Sequence, residues 1–101
     1  MTLTNEFQPI RDWATQRGLY EKGDPKTQYI KLQEEAGELA KAILKANETE
    51  FIDAIGDCVV VLTNLAAMKG HTIEECINHA YEEIKNRKGA MVAGTFVKET
   101  K

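Results

Sequence analysis

The stretch from residue 51 to residue 68, FIDAIGDCVVVLTNLAAM, constrains the fold more than any other part of the chain. At helical periodicity it makes about five turns that are apolar around almost the whole circumference. Four polar residues of this stretch and the position before it lie on one side of the helix. Glu50, Asp53, Asp57 and Asn64 all fall within about 40° of one line parallel to the helix axis. Such a helix is normally buried, and buried carboxylates are costly unless a cation neutralises them. The sequence therefore predicts a core helix with one acidic stripe that needs a counter-charge.

The length and composition favour a single globular domain over residues 1–101, with 43% apolar and 29% charged residues. We expect no membrane span, since the polar residues of the acidic stripe interrupt the only apolar stretch of sufficient length. The N-terminal sequence MTLTNEFQPI lacks the features of a secretory signal. Cys58 and Cys76 form no metal-binding motif and are typical of buried thiols in a reducing compartment. These features favour a cytoplasmic location.

The charge is divided unevenly along the chain. Residues 84–101 contain five basic side chains and one acidic one, so they carry +4, and residues 1–83 carry −7 of the net charge of −3. A mainly acidic protein is poorly suited to bind a nucleic acid polymer. The division suits a small polyanion whose cation is held by the acids and whose phosphates are held by the basic end.

Helical periodicity and capping residues predict four helices joined by short links. The expected ranges are 4–18, 25 to about 46 after the N-cap Asp24, 47–70, and 72–89, with 19–24 as a connector. The last residues, AMVAGTFVKETK, alternate in polarity and predict a short extended arm or hairpin. The fold class is therefore an all-α four-helix bundle with a short C-terminal arm or hairpin. The expected core face of the second helix comprises Tyr29, Leu32, Ala36, Leu39, Ala40, Ile43 and Leu44.

Two pairs of carboxylates are expected to meet between the second and third helices. Glu35 and Glu38 share one helix face, and Asp53 and Asp57 share another. Because a short link makes the two helices antiparallel, the pairs can face each other. Four oxygen donors of this kind suit Mg²⁺, or Mn²⁺ as a substitute, better than Zn²⁺. The alternatives are a solvated acidic face on the second helix, or pairing of the aspartates with basic residues such as Lys31 and Lys41.

The segment EEAGE at residues 34–38, followed by DAIGD at residues 53–57, resembles the two-part acidic signature of MazG-like nucleotide pyrophosphohydrolases. The similarity runs from Trp13 through the IKNRKG segment and is greatest to short single-domain members of bacterial and phage type. It implies an all-α fold, Mg²⁺ dependence, and hydrolysis of nucleoside triphosphates to monophosphates and pyrophosphate. It also implies assembly as a homodimer or homotetramer.

The resemblance assigns metal-binding roles to Glu35 and Glu38 in the first half of the signature and to Asp57 in the second. The chain departs from the signature at Ala54, where the family has a glutamate. Asp53, one residue earlier on the same stripe, is the expected substitute ligand, and Glu50 is the second choice. The number of bound metals stays open.

The expected mechanism is attack of a water on the α-phosphorus, with a carboxylate such as Glu34 as the base and pyrophosphate as the leaving group. The expected catalytic residues are Glu34, Glu35, Glu38 and Asp57. Lys31, Lys85, Arg87 and Lys88 are candidates for phosphate contacts, and the last three could instead stabilise a helix C-terminus. Trp13, Asn64 and Gln28 are the other candidates for substrate contacts. For Trp13 the alternative is a core or interface position, and for Asn64 a hydrogen bond to the backbone.

Other functions remain compatible with the sequence. Similar helical scaffolds carry dUTPase-like and phosphoribosyl-ATP pyrophosphohydrolase activities. The absence of a carboxylate at Ala54 would suit a catalytically weak nucleotide-binding regulatory module, and an inert interaction domain is a third possibility. The sequence leaves open the preferred base and sugar, and also the choice between dimer and tetramer. The expected partners are a nucleoside triphosphate and further copies of the same chain.

Overall fold

The computed structural model describes residues 5–99, which form five helices followed by one hairpin. The helices and strands are α1 (Phe7–Gln16), α2 (Leu19–Lys22), α3 (Pro25–Leu44), α4 (Glu48–Met68), α5 (Ile73–Ile84), β1 (Gly89–Val92) and β2 (Thr95–Lys98). The all-α class and the short C-terminal hairpin are confirmed. The strands are antiparallel, and Gly89 pairs with Lys98 while Val92 pairs with Thr95.

Local capping explains where the long helices begin. Asp24 accepts a hydrogen bond from the Thr27 backbone N–H at 2.9 Å, and Pro25 occupies the first helical position of α3. Asn47 caps α4 in the same way, and α5 begins with a complete capping box between Thr72 and Glu75. The sequence signals at these three positions were therefore interpreted correctly.

Three boundaries differ from the predicted ones. Residues 19–24 are not only a connector, because Leu19–Lys22 form the short helix α2. The first helix begins at Phe7 and ends at Gln16, within the predicted range of 4–18, whose residue 4 lies outside the described part of the chain. The last helix ends at Ile84, and Gly89 begins a strand instead of ending a helix.

Helices α3 and α4 form the centre of the fold. They pack along their length, and the chain reverses between them in residues 45–47. On each of these two helices, five of the less exposed residues form a stripe that faces the other helix. We call this stripe the seam. The seam of α3 comprises Gln28, Leu32, Glu35, Leu39 and Ala42, and the seam of α4 comprises Phe51, Ala54, Cys58, Val61 and Leu65. Helices α1, α2 and α5 pack on α4.

The predicted core face of α3 is only partly correct. Leu32 and Leu39 lie in the seam, but Tyr29, Ala36, Ala40, Ile43 and Leu44 are exposed. The apolar surface of α3 is wider than the contact with one neighbouring helix can cover. The remaining part is left open on a single copy of the chain.

Helix α4 is long and apolar enough to cross a membrane by length and composition, so the expectation that its acidic residues would prevent this was wrong. Only 22% of its most apolar window is buried within one copy. One helix of this kind is weak evidence for a membrane, since core helices of globular proteins have the same composition. Here α4 packs against four other helices.

Candidate active site

The two predicted pairs of carboxylates lie on one small cavity between α3 and α4. The cavity has a volume of about 210 Å³. Its lining consists of Glu35 and Glu38 from α3 and Glu50, Asp53, Ala54 and Asp57 from α4. We call it the acidic cavity. The i, i+3 and i, i+4 spacings place each set on one helix face, and the turn at residues 45–47 brings the faces together.

The acidic cavity has little positive charge of its own. Lys31 Nζ lies 3.5 Å from Glu35 Oε1, and the Glu35 side chain is only 15% exposed. Within residues 5–99 no basic side chain forms an ion pair with Asp53 or Asp57, and Lys41 forms none at all. The proposed alternative in which lysines neutralise the aspartates is therefore not observed.

The carboxylates surround the cavity without converging on one point. In the described part of the chain, no three histidine, cysteine or acidic side chains lie close enough together to hold one metal ion. Like charges repel one another in the absence of a cation, and Glu38, Glu50, Asp53 and Asp57 are exposed and free to turn away. Their chemistry fits Mg²⁺, because all five donors are hard carboxylate oxygens.

Cys58 lies beside the acidic cavity. Burial raises the pKa of its thiol, and the charges of Glu35 and Asp57 raise it further. The thiol therefore stays protonated at neutral pH, which makes Cys58 an unsuitable nucleophile. Both cysteines are free, but only Cys58 is partly buried, so the expectation that both thiols are buried was wrong for Cys76, which is exposed.

A second cavity adjoins the acidic one and shares Asp57 with it. It has a volume of about 560 Å³, and its lining consists of Glu6, Pro9, Ile10, Trp13, Asp57 and Val60. Trp13 is half-exposed, and the guanidinium of Arg17 lies 4.4 Å from the centre of its ring. An apolar pocket with an aromatic wall beside a carboxylate cluster can accept a planar ring.

The sequence pattern selected Trp13 but missed Ile10, Val60 and Arg17. Ile10 precedes Trp13 by three positions on α1, and Val60 follows Asp57 by three positions on α4. The same helical spacing therefore contained the signal for two of them.

Asn64 is buried, at 2% exposure, and its side chain is already engaged. The Tyr20 hydroxyl donates a hydrogen bond to Asn64 Oδ1 at 2.6 Å. Burial raises the pKa of Tyr20, while the charge of Arg11 lowers it by a smaller amount, so the phenol remains a donor at neutral pH. Asn64 lines neither the acidic cavity nor the cavity beside Trp13.

Several predicted site residues lie away from the acidic cavity. Glu34 is exposed on α3 and does not line the cavity. Gln28 lies in the buried seam two turns before Glu35. Lys85 forms an ion pair with Glu82, and Lys88 lines a separate cavity against the hairpin. Arg87 lies between them in the turn that leads into β1.

The fold and the cavity define a class: an all-α domain in which two adjacent helices present carboxylates to one small site. A family model described as the MazG nucleotide pyrophosphohydrolase domain matches residues 24–92, more than half of the chain. The chain therefore belongs to the MazG family. The matched range contains every residue of the acidic cavity, but α1 and Trp13 lie outside it.

One curated relative is an uncharacterized 18.2 kDa protein from the rep-hol intergenic region of Haemophilus phage HP1. It is 46% identical over 57 residues, which is 56% of this chain and 35% of the phage protein. The chain thus spans about a third of that relative's length. No solved structure matches the chain.

Proposed function

We propose that this protein is a Mg²⁺-dependent nucleoside triphosphate pyrophosphohydrolase, which converts a (deoxy)nucleoside triphosphate and water into the monophosphate and pyrophosphate. The observation that carries the proposal is the acidic cavity, in which both halves of the family's acidic signature lie together. A role in nucleotide-pool control or in removal of unwanted nucleotides follows from this activity.

Glu35, Glu38, Asp53 and Asp57 are the residues that would hold the metal, with Mn²⁺ as a possible substitute. Bound Mg²⁺ would neutralise the triphosphate and make the α-phosphorus more electrophilic. Glu38, Asp53 and Asp57 are exposed and can change rotamer, whereas Glu35 lies in the seam and would be the least mobile ligand.

The water that attacks the α-phosphorus needs a base. A new P–O bond forms to the water, the P–O bond to pyrophosphate breaks, and the water's proton passes to a carboxylate. Glu34 does not line the acidic cavity, whereas Glu50 does and is not needed as a ligand if Asp53 takes that role. Glu50 is therefore the better candidate for the base.

The substrate's other parts have candidate contacts on both sides of Asp57. Lys31 lies one turn before Glu35 and can approach the phosphates. The cavity lined by Ile10, Trp13 and Val60 can accept the base, with Trp13 as the stacking surface. A substrate contact by Asn64 would require a rearrangement, because the residue is 2% exposed and its Oδ1 accepts a hydrogen bond from Tyr20.

We also propose that the protein assembles as a homodimer or homotetramer. Tyr29, Ile43, Ile52, Ile55 and Leu62 are exposed, at between 39% and 65% of their surface. Each lies one position after a seam residue, which corresponds to a rotation of about 100° around the helix axis. Because α3 and α4 are antiparallel, equal offsets place these side chains on the same side of the helix pair. An apolar face of this width is typical of an interface.

The test is Mg²⁺-dependent release of pyrophosphate from a panel of canonical and modified nucleoside triphosphates. We expect turnover by the wild type and a loss of roughly 100-fold or more in Asp57→Asn, the scale on which removal of one active-site electrostatic group acts. Glu21→Gln, an exposed carboxylate on α2, is the matched control and should retain activity. Comparison of Asp53→Asn with Glu50→Gln separates a ligand from a base, since only loss of a ligand should weaken Mg²⁺ binding.

Thermal unfolding separates the remaining possibilities. A ligand that binds only the folded state raises the melting temperature, so Mg²⁺ should stabilise the wild type and not Asp57→Asn. Saturable nucleotide binding without turnover would favour the regulatory module. Turnover of dUTP alone, or of phosphoribosyl-ATP alone, would select one of the narrower enzyme activities. No effect of Mg²⁺ on stability or turnover would contradict the proposal.

A further inference from the structure

The second cavity of the candidate site, which we call the Trp13 cavity, offers hydrogen-bond acceptors but few donors. Its lining consists of three apolar side chains, the indole of Trp13, and the carboxylates of Glu6 and Asp57. Within the described part of the chain, no basic, hydroxyl or amide side chain lines it. An ionised carboxylate accepts hydrogen bonds and cannot donate one. A ligand that fills this cavity therefore has to supply the donors itself.

Most of this lining comes from a single row of side chains on the first helix. Four residues occupy one face of α1 and its N-cap, at the i, i+3, i+4 and i+7 positions: Glu6, Pro9, Ile10 and Trp13. Glu6 and Trp13 are about 10 Å apart along the helix axis. Helical side chains point back towards the N-terminus, which directs the indole over Ile10 and towards Glu6. A base that stacks on Trp13 can therefore turn one edge towards the Glu6 carboxylate.

Arg17 restricts a ligand to one face of the indole. Its guanidinium carbon lies 4.4 Å from the centre of the Trp13 ring, and Arg17 is not part of the cavity lining. The cation therefore covers the indole face that is turned away from the cavity. The indole N–H lies in the plane of the ring, so it cannot donate to a base that stacks on the open face. Glu6 and Asp57 remain as the polar groups that can contact such a base.

The proposed role of Asp57 in metal binding leaves Glu6 to contact the base. Across residues 5–99 no basic side chain forms an ion pair with Glu6. Of the common bases, only guanine carries two adjacent donors, its ring N–H and its 2-amino group, and these match the two oxygens of one carboxylate. Adenine and cytosine have a ring nitrogen lone pair beside their amino group, and uracil and thymine have a carbonyl on each side of their N–H. Those lone pairs repel a carboxylate.

We infer that the Trp13 cavity binds guanine bases, with Trp13 as the stacking surface and Glu6 as the residue that determines specificity. The inference rests on the proposed function, because that function makes a nucleotide the ligand. It narrows the substrate class to guanine nucleotides, including modified guanines that keep both donors. Hypoxanthine is the sharpest comparison, since it keeps the ring N–H of guanine and lacks only the 2-amino group.

Nucleoside binding tests the inference without metal or turnover. Trp13 is the only tryptophan of the chain, so its indole N–H gives a single signal in the NMR spectrum of the ¹⁵N-labelled protein. Titration of that signal with guanosine, inosine, adenosine and cytidine, in the presence of EDTA, measures the affinity for each nucleoside. We expect guanosine to bind roughly tenfold more tightly than inosine, the scale of one hydrogen bond to a charged group. Equal affinities for guanosine and inosine, or no response to any nucleoside, would overturn the inference.

Two substitutions identify the role of Glu6. In Glu6→Gln the amide keeps only one acceptor oxygen, so the preference for guanosine over inosine should fall to within about twofold. Glu21→Gln makes the same change at an exposed carboxylate on α2 and should keep the preference. Glu6 also lies at the N-terminus of α1, where a negative charge stabilises a helix. A lower melting temperature of Glu6→Gln with an unchanged nucleoside preference would assign Glu6 that structural role alone and overturn the inference.

Turnover separates this inference from the proposed function. The wild type should hydrolyse dGTP with a kcat/KM roughly tenfold above that for dITP, and the two values should lie within about twofold in Glu6→Gln. Turnover without a preference for dGTP would overturn the inference and leave the proposed function intact. Selective binding of guanosine without turnover of any nucleotide would uphold the guanine assignment and contradict the proposed activity.

Discussion

Replacing Tyr20 with phenylalanine tests the polar contact that joins α2 to α4. The change removes one hydroxyl, which donates a 2.6 Å hydrogen bond to Asn64 Oδ1. Asn64 is 2% exposed, so water cannot replace the lost donor without a rearrangement. A buried acceptor left without a partner costs about 1–3 kcal/mol of unfolding free energy. For a domain of about this size, that corresponds to a fall in melting temperature of about 4–24 °C.

Tyr81→Phe is the matched control for this measurement. Tyr81 lies on α5 and is 57% exposed. Its hydroxyl can be hydrated by water, so the expected effect of removing it is below about 0.5 kcal/mol. Both variants should be unfolded thermally at one protein concentration, because self-association would make the melting temperature depend on concentration.

A double variant isolates the cause of the loss. In Tyr20→Phe/Asn64→Leu both polar partners are replaced by apolar groups of similar size, which can be nearly neutral. The double variant should therefore be more stable than Tyr20→Phe alone. The reasoning fails if Tyr20→Phe is no less stable than Tyr81→Phe, or if the second substitution brings no recovery.

Two further perturbations test the ends of helices and the contact between α1 and α5. Helices α3 and α4 end in the same pattern of hydrogen bonds, but the left-handed residue is Ala46 in one and Gly70 in the other. Ala46→Gly should therefore raise the unfolding free energy by about 1 kcal/mol, and Gly70→Ala should lower it by a similar amount. Urea denaturation measures both changes. A loss of stability in Ala46→Gly would contradict the role assigned to the left-handed residue. Arg11 holds the pKa of Glu74 at about 2, below its ordinary value of 4.5, through bonds of 2.6 and 2.7 Å. A lowered folded-state pKa stabilises the protein above about pH 4.5, and this contribution is lost as the pH falls towards 2. Arg11→Met should consequently melt below the wild type at pH 7, with a difference that narrows between pH 4.5 and 2; a constant difference across this range would refute it.

The parts of the fold that were predictable from sequence depend on neighbouring residues. The pairs Asp24–Pro25 and Thr72–Glu75 fix helix starts through contacts within one turn, so their signals can be read directly. Helix α2 was missed because four residues are too few for a periodic pattern. Its Tyr20 is bonded to Asn64, a residue 44 positions away in the chain.

The same distinction applies to the acidic cavity. Spacing placed Glu35 and Glu38 on one face and Asp53 and Asp57 on another, and the short link brought them together. Periodicity could not show which part of a wide apolar face meets the neighbouring helix. For this reason the predicted core face of α3 did not include Glu35, which lies within the seam.

The alanine at position 54 changes how the cavity can bind a cation. Ala54 is 3% exposed and lines the acidic cavity, so a glutamate there would place its carboxylate near Glu35 with little access to water. A buried carboxylate of this kind is costly until a cation arrives. Asp53 and Glu50 are exposed instead, so they contribute negative charge at the edge of the cavity while remaining solvated. If the protein binds Mg²⁺ as proposed, this arrangement would let α3 and α4 pack without the metal, and cation binding would be separate from folding.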